Sequence, residues 1–140
     1  MDFRAQRKGR FRLHATPVIL LDTHALIWIL AGRKRVLGLL ATGHPLFLSP
    51  ISVLEMRFLI EAKRARIAEP DWEARLWRES RFKIDDCRLG PIVAAASDLG
   101  FTRDPFDRLL AGHAMARGFR LATADARLID HLPKERVFPL

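Results

Sequence analysis

The sequence predicts an α/β fold in which helices cover both faces of a parallel sheet. Short runs of buried-type residues, beginning at residues 18–21, alternate with longer segments whose apolar residues recur at helical spacing. Helix starts are also marked, because a capping residue precedes proline at Ser49-Pro50 and at Asp104-Pro105. Strands that alternate with helices in this way are typical of a parallel sheet.

The alternation begins at residue 17 and continues through the first half of the chain. Gly43 marks the end of a short helix, and Ser49 caps a longer amphipathic one. In chain order we expect a strand at 18–21, helices at 24–31 and 36–40, a strand at 45–48 and a helix at 51–64.

The second half repeats the pattern with clear helix boundaries. Pro70 and Asp71 open one helix, and Gly118 ends another that begins at Asp104. In chain order we expect a helix at 70–80, a strand at 82–84, helices at 92–99 and 104–118, a strand at 119–122, a helix at 126–131 and an edge strand at 137–138.

The composition is that of one globular domain. The chain has 140 residues, of which 49% are hydrophobic, enough for a core. The single cysteine, Cys87, cannot form an internal disulfide and is interpreted as structural. No apolar run approaches the roughly 18 residues needed to cross a bilayer. No signal peptide is predicted either, so we expect a cytoplasmic protein without a membrane partner.

The positive charge favours a nucleic-acid partner, although basic residues also serve simply to solvate a surface. The net charge is +8 and the isoelectric point is about 10.9. Residues 1–16 carry five basic residues and one acid, a net charge of +4. This segment lacks an apolar period, and we expect it to form a flexible basic arm ahead of a domain over residues 17–140.

Two aspartates follow predicted strands. Asp22 stands directly after the first strand and Asp125 shortly after the strand at 119–122. Binding sites of open α/β sheets form beyond the carboxyl ends of the strands, so both are site candidates. The alternative is that each caps the following helix, although Thr23 offers a cap in place of Asp22.

Three further acids lie on predicted helices. Glu55 shares a helix row with Ile51 and Leu59, where a lone carboxylate needs a partner unless its tip reaches solvent. Asp104 fits a helix cap, and Asp107 lies on the first turn of the same helix.

A crevice that collects Asp22, Glu55, Asp107 and Asp125 is costly without a cation, because crowded carboxylates repel one another. Oxygen ligands without zinc-type histidine or cysteine spacing favour Mg²⁺ or Mn²⁺. A carboxylate-held cation in a basic protein suits phosphodiester hydrolysis. The chain has no GxxxxGK[ST] or GxSxG motif, which argues against an NTPase or a serine hydrolase.

The segments that carry these acids resemble the PIN-domain ribonucleases, specifically the VapC-type toxins of type II (VapBC) toxin–antitoxin systems. The matching segments, in the family's order and spacing, are LLDTHALIW at 20–28, SPISVLEMRFLIEAKRARI at 49–67, RDPFDRLLAGHAMARG at 103–118 and LATAD at 121–125. The resemblance covers about residues 17–140.

The resemblance implies a three-layer α/β/α fold with a short, mostly parallel sheet. It implies endonucleolytic cleavage of RNA that depends on Mg²⁺ or Mn²⁺, a cognate VapB-type antitoxin protein, and a homodimer. The catalytic residues that it implies are Asp22, Glu55, Asp107 and Asp125.

The resemblance also assigns roles within this set. Asp22 and Asp107 are expected to bind the metal directly, with Glu55 and Asp125 acting through water or a second ion. The supporting positions are Asp104 as cap or outer partner, and the hydroxyls of Ser52 and Thr123. Gly112 departs from the family, which commonly has a larger polar residue there, and we expect it to loosen its helix.

Alternatives remain in three other classes of function. One is a PIN-fold RNA-binding or regulatory module without turnover, and another is a metal-dependent nuclease with a DNA or flap substrate. A small-molecule phosphatase is the third, although it needs a carboxylate where His24 stands. Trp72 and Trp77 either stack on bases or, as we favour, belong to the core or to a protein contact.

Overall fold

The computed structural model describes residues 18–140 and contains one five-stranded sheet. The basic arm predicted over residues 1–16 lies outside the described residues. All four strand pairings are parallel, in the spatial order β3-β2-β1-β4-β5. The strands are β1 (Ile19–Leu21), β2 (Leu46–Leu48), β3 (Phe82–Ile84), β4 (Arg120–Thr123) and β5 (Val137–Pro139).

Seven α-helices connect these strands in the described part of the chain. Short 3₁₀ turns at Lys34–Val36 and Lys134–Arg136 complete the elements. The helices are α1 (Thr23–Leu30), α2 (Leu37–Ala41), α3 (Pro50–Glu61), α4 (Trp72–Arg78), α5 (Leu89–Ser97), α6 (Pro105–Arg117) and α7 (Ala126–His131). None of the helices in this part of the chain has the length and apolar character required to span a membrane.

The core lies on both faces of the sheet, which makes the fold a three-layer α/β/α arrangement. Side chains alternate along β1, so Ile19 and Leu21 join one apolar cluster and Leu20 joins the other. The first cluster includes Met56 of α3, and the second includes Ala111 of α6. Every β1 residue is fully buried, which explains its uninterrupted apolar sequence. The predicted fold class is confirmed.

Several element boundaries differ from the prediction by up to three residues, and helix capping explains two of the differences. The helix expected at 24–31 begins at Thr23, since Asp22 and not Thr23 is its N-cap. The strand expected at 119–122 begins at Arg120. Gly118 adopts a left-handed conformation with φ of 71°, and the Phe119 N–H donates to Ala114 O at 2.9 Å, so Phe119 completes the end of α6.

Helices α5 and α6 pack closely through Gly112. A Cβ atom added there would stand 2.7 Å from Ile92 O and 2.9 Å from both the Cβ and the N of Ala96. The missing side chain at Gly112 is therefore what lets the two backbones approach, while the expectation that Gly112 loosens its helix stays a prediction.

Replacing Gly112 with alanine is expected to lower the free energy of unfolding by about 1–3 kcal/mol, since backbone atoms must move to admit the methyl group. Urea unfolding of the parent and of Gly112→Ala measures the effect. Gly38→Ala is the matched control, because Gly38 lies in α2 with nothing within 4 Å of its added Cβ. If Gly112→Ala had the same free energy of unfolding as the parent, close packing of α5 on α6 at Gly112 would be contradicted.

Candidate active site

The candidate site lies where the strand order reverses. The chain builds β1, β2 and β3 toward one edge and then returns to place β4 on the other side of β1. The loops after β1 and β4 therefore diverge, which opens a crevice beyond their carboxyl ends. Asp22 follows β1 and Asp125 follows β4 by two residues, so both stand at this switch point.

Asp22 is buried at the junction of strand and helix, with 6% of its surface exposed. Its N–H donates to Ala122 O at 3.1 Å, which extends the pairing of β1 with β4. One carboxylate oxygen, Oδ1, accepts from the Ala25 N–H at 2.7 Å. The side chain is thus fixed by its own backbone and by the first turn of α1.

Asp125 is held in the same way at the start of α7. Its Oδ1 accepts from the Arg127 N–H at 2.8 Å, and its own N–H donates to the Thr123 hydroxyl at 3.0 Å. Thr123 is fully buried and also donates to the Asp22 carboxylate. The hydroxyl expected to support the site therefore links the loops after β1 and β4.

Glu55 lies on the buried face of α3, with 7% of its surface exposed. The alternative in which its tip reaches solvent is therefore wrong. The Thr23 hydroxyl donates to Glu55 Oε2, and the Ser52 hydroxyl lies 3.4 Å from the Thr23 hydroxyl. The partner of this carboxylate is thus Thr23, whose role the sequence did not reveal. Ser52 contacts Thr23 and not Glu55 itself.

Asp104 and Asp107 occupy the start of α6. Asp104 Oδ1 accepts from the N–H groups of Phe106 and Asp107, at 2.9 and 3.2 Å, so Asp104 is the cap, as its sequence position predicted. Asp107 makes no side-chain hydrogen bond within residues 18–140 and faces the same space as Asp22. Asp104 thus uses one carboxylate oxygen as the cap, whereas both carboxylate oxygens of Asp107 are free of hydrogen bonds within this part of the chain.

The five acids line a single cleft with a volume of about 320 Å³. Ser52 and Thr123 lie behind its wall. Besides the acids, the lining residues are His24, Trp28, Arg35, Phe58, Leu59, Arg64, Phe106 and Ala124. The structure thus brings all four predicted catalytic acids together, while their roles as metal ligands stay predictions.

The electrostatics of the cleft disfavour ionised carboxylates. Burial raises the pKa of Asp107 to about 7, and repulsion from the neighbouring carboxylates, Asp104 first, adds to the effect. Burial also raises the pKa of Asp22, which hydrogen bonds from Thr123 and Ala25 offset only in part. Burial likewise raises the pKa of Glu55, against the Thr23 hydrogen bond. A bound cation would remove much of this cost.

The donor set fits a hard divalent cation held mainly through water. Among residues 18–140, no three histidine, cysteine or acidic side chains are already arranged as a metal centre. Mg²⁺ does not require such a centre, because it keeps several waters and takes one or two carboxylates from the protein. Asp107, free of hydrogen bonds, and Asp22, with Oδ2 not used by the Ala25 N–H, are the candidates for those positions.

A second buried polar cluster lies near the site and was missed from the sequence. His113 of α6 is fully buried, with Nε2 2.7 Å from Asp85 Oδ2 and Nδ1 2.9 Å from the Ser49 hydroxyl. Arg117 also binds Asp85, at 2.9 and 3.1 Å. Burial opposes ionisation of Asp85, but hydrogen bonds from Arg117 and His113 outweigh it and hold its pKa below the usual value.

This serine, histidine and aspartate set is structural and not a hydrolase triad. Ser49 has no exposed surface, and its hydroxyl accepts from the Ile51 N–H at 3.2 Å as the cap of α3. His113 donates from Nε2 to Asp85 and accepts from Ser49 at Nδ1, so the ring joins α3, α6 and the end of β3. Because the partners lie far apart in the sequence, no local pattern predicted that they would meet.

The two tryptophans of α4 differ in exposure. Trp72 is 6% exposed and belongs to the core, as we favoured, so it does not stack on bases. Trp77 is 45% exposed. The tryptophan that lines the cleft is Trp28 of α1, one helical turn after His24, at a ring distance of 6.1 Å.

Fold and site together define an α/β/α protein with an acidic cleft at the switch point of a parallel sheet. The chain belongs to the PIN domain family, whose model matches residues 19–134. Ribonuclease VapC22 of Mycobacterium tuberculosis is 33% identical over 123 residues, covering 81% of this chain and 91% of that protein. The resemblance to VapC-type members of the family is thereby confirmed.

Solved structures share the fold at lower sequence identity. A toxin–antitoxin complex from Klebsiella pneumoniae has a TM-score of 0.63 at 18% identity, covering 86% of this chain and 95% of that one. DNA-bound VapBC from Salmonella typhimurium has a TM-score of 0.61 at 22% identity, covering 89% and 98%. VapBC2 from Rickettsia felis, bound to a promoter DNA fragment, has a TM-score of 0.61 at 19% identity, covering 87% and 98%.

The raised pKa of Asp107 predicts how pH acts on the metal-free protein. Folding raises this pKa from 3.8 to about 7, so the folded state holds the proton more tightly than the unfolded chain. The associated stability is fully present below 3.8 and is lost as the pH rises to about 7. Asp107→Asn removes the titration, so its stability advantage over the parent should grow across this range.

At pH values above that range, Asp107→Asn is expected to exceed the parent by about 1–2 kcal/mol, a figure reduced for partial exposure of the side chain. Urea unfolding in EDTA at a series of pH values measures the difference. Glu135→Gln, at an exposed acid outside the cleft, is the control. A constant difference between Asp107→Asn and parent at every pH would refute the electrostatic assignment.

Proposed function

We propose that this chain is the toxin of a VapBC-type pair and that it hydrolyses RNA phosphodiester bonds in a reaction that depends on Mg²⁺ or Mn²⁺. The observation that carries the proposal is the cleft lined by Asp22, Glu55, Asp104, Asp107 and Asp125 in a protein of net charge +8. Family membership and the relative named as a ribonuclease support it.

Asp22 and Asp107 would hold the cation directly. The chemistry that such an ion supplies is activation of water and stabilisation of negative charge on the phosphoryl oxygens. Asp22 is kept in place by the Ala25 N–H and Thr123, so little reorganisation is needed at the time of binding. Asp107 comes from the first turn of α6 and lines the same cleft, with no side-chain hydrogen bond within residues 18–140 to compete with the ion.

Glu55 and Asp125 would act through bound water or a second ion. The Thr23 hydroxyl orients one oxygen of Glu55, which leaves Oε1 available to a water molecule or an ion in the cleft that Glu55 lines. One oxygen of Asp125 is occupied as a helix cap, and the other is available to orient a water molecule. Burial raises the pKa of Glu55, which suits that carboxylate to accept a proton from attacking water.

The positive charge outside the cleft would bind the phosphate backbone of RNA. Within the cleft the acids repel phosphate, so a bound cation is expected to strengthen substrate binding at the phosphate to be cleaved, while basic residues hold the neighbouring phosphates without it. This arrangement favours a substrate that is held by surrounding basic residues and cut at one place.

A VapB-type antitoxin is the proposed protein partner. The structures with the same fold from Salmonella typhimurium and Rickettsia felis are described as VapBC assemblies. On this chain, large apolar side chains are exposed on α3 and α4, with Leu54 at 61% and Trp77 at 45%. Such residues suit a protein contact, with the antitoxin or in a homodimer.

The test is incubation of the purified protein with total cellular RNA in Mg²⁺, in Mn²⁺ and in EDTA, beside Asp22→Asn. Asparagine is also a good N-cap, so this variant is expected to fold. It should cut at least about 100-fold more slowly, since even outer partners of a metal site change activity by that order. Asp130→Asn, at an exposed acid outside the cleft, should cut like the parent.

The outcomes separate the alternatives. Discrete fragments that need metal and Asp22 support the nuclease. RNA that binds without being cut in either metal indicates a binding or regulatory module. Single-stranded and flap DNA run in parallel, and faster cleavage of these would move the substrate class to DNA. Equal cleavage by Asp22→Asn and the parent would refute the site assignment.

A further inference from the structure

The cleft contains two arginines that bind none of its acids. Arg35 belongs to the 3₁₀ turn after α1, and Arg64 lies just beyond α3. Among residues 18–140, the arginines within ion-pair distance of an acid are Arg57, Arg75 and Arg117, all outside the cleft lining. Within the same residues neither guanidinium is paired with any of the five carboxylates beside it, so both are available to another anion.

Arg35 is held in place by an aromatic ring and not by a charge. Its Cζ lies 4.3 Å from the centroid of the Trp28 ring, a cation–π contact. Trp28 is half-buried and packs against the core cluster that contains Ile19 and Leu26, so its ring is a firm support. Arg35 itself is exposed.

The contact of Arg35 Cζ with the Trp28 ring leaves N–H donors of the guanidinium available. A guanidinium that lies over a ring uses its face for that contact, and its N–H donors point outward in the plane. Those donors match the oxygens of a phosphate, which arginine binds with two parallel hydrogen bonds. The contact with Trp28 therefore prepares Arg35 for an anion while keeping it off the carboxylates.

We propose that Arg35 and Arg64 bind the phosphates that neighbour the cleaved phosphodiester of an RNA strand, and that Trp28 is the positioning residue of Arg35. This inference rests on the proposed function and adds the residues that recognise the backbone. The five acids repel a polyanion, and the two arginines, placed at the same cleft, offset that repulsion where the strand must enter.

The test measures binding of a labelled oligouridine in EDTA, where metal-dependent cleavage is stopped, over a series of salt concentrations. Arg35→Gln is expected to weaken binding about tenfold at low salt. It should also reduce the slope of log affinity against log salt by about 0.7, the value of one phosphate contact on a single strand. Arg64→Gln should act alike.

Arg78→Gln is the matched control. Arg78 is an exposed arginine at the end of α4. Because α4 leads into the amino end of β3, Arg78 lies near the amino ends of the strands, whereas the cleft lies beyond their carboxyl ends. Its removal lowers the net charge by the same amount as Arg35→Gln. A smaller slope change for Arg78→Gln than for Arg35→Gln is expected, whereas equal changes would overturn a specific role for Arg35.

The role of Trp28 is tested through Arg35. Trp28→Leu is expected to weaken oligouridine binding in the parent but to have little further effect in Arg35→Gln. Trp28→Phe keeps an aromatic face and should therefore retain most of the binding that Trp28→Leu loses. Measuring the unfolding midpoint of both variants shows whether a loss of binding comes from unfolding. Additive losses in the double variant would overturn the positioning role.

Failure of this inference can be told apart from failure of the proposed function. If the parent cuts RNA in Mg²⁺ while Arg35→Gln and Arg64→Gln keep its affinity and salt slope, the inference is wrong and the nuclease stands. If the parent does not bind oligouridine in EDTA, the phosphate contacts are refuted whatever the cleavage assay gives. If the variants lose binding but no protein cuts RNA, the inference stands as an RNA-binding site and the nuclease is refuted.

Discussion

Repulsion among buried carboxylates is the constraint on which the rest of the site depends. The sheet topology brings the carboxylates together, since the order β3-β2-β1-β4-β5 places the loops after β1 and β4 at one crevice. Helices α3 and α6 then add Glu55 and Asp107 to Asp22 and Asp125. A pKa of about 7 for Asp107 reflects that crowding and burial. The two apolar clusters stabilise the fold and so offset the unfavourable free energy of the crowded carboxylates. A cation bound to these carboxylates would stabilise the folded state further.

Three of the aspartates that line the cleft are also helix caps. Asp22, Asp104 and Asp125 are the N-caps of α1, α6 and α7, and all three line the cleft. The sequence posed these roles as alternatives for Asp22 and Asp125, but a carboxylate has two oxygens and one suffices for a cap. The positive ends of the helices also offset part of the negative charge. The positions of three site oxygens are therefore set by local backbone geometry.

The parts that local sequence encodes were predictable, and the parts that depend on distant partners were not. Apolar runs located all five strands, and acids after strands or at helix starts located the cleft, because each signal lies within a few residues. Asp85, Ser49 and His113 meet only after folding, so nothing in the sequence predicted their cluster. The packing role of Gly112 was not predicted for the same reason, since its neighbours belong to α5. Arg35 lines the cleft from a 3₁₀ turn that helical periodicity does not describe, so nothing in the sequence predicted its contact with Trp28 of α1.

The central claim is that the cleft is completed by a divalent cation, and metal-linked stability tests it without any assumption about the substrate. The measurement is the thermal unfolding midpoint of the parent and of Asp107→Asn in EDTA and in increasing Mg²⁺ or Mn²⁺. Binding to the folded state alone stabilises it by about 2.7 kcal/mol at a ligand concentration one hundred times Kd. The midpoint of the parent should therefore rise with metal concentration, and that of Asp107→Asn should rise much less. A parent midpoint that is the same in EDTA and in both metals would contradict the claim.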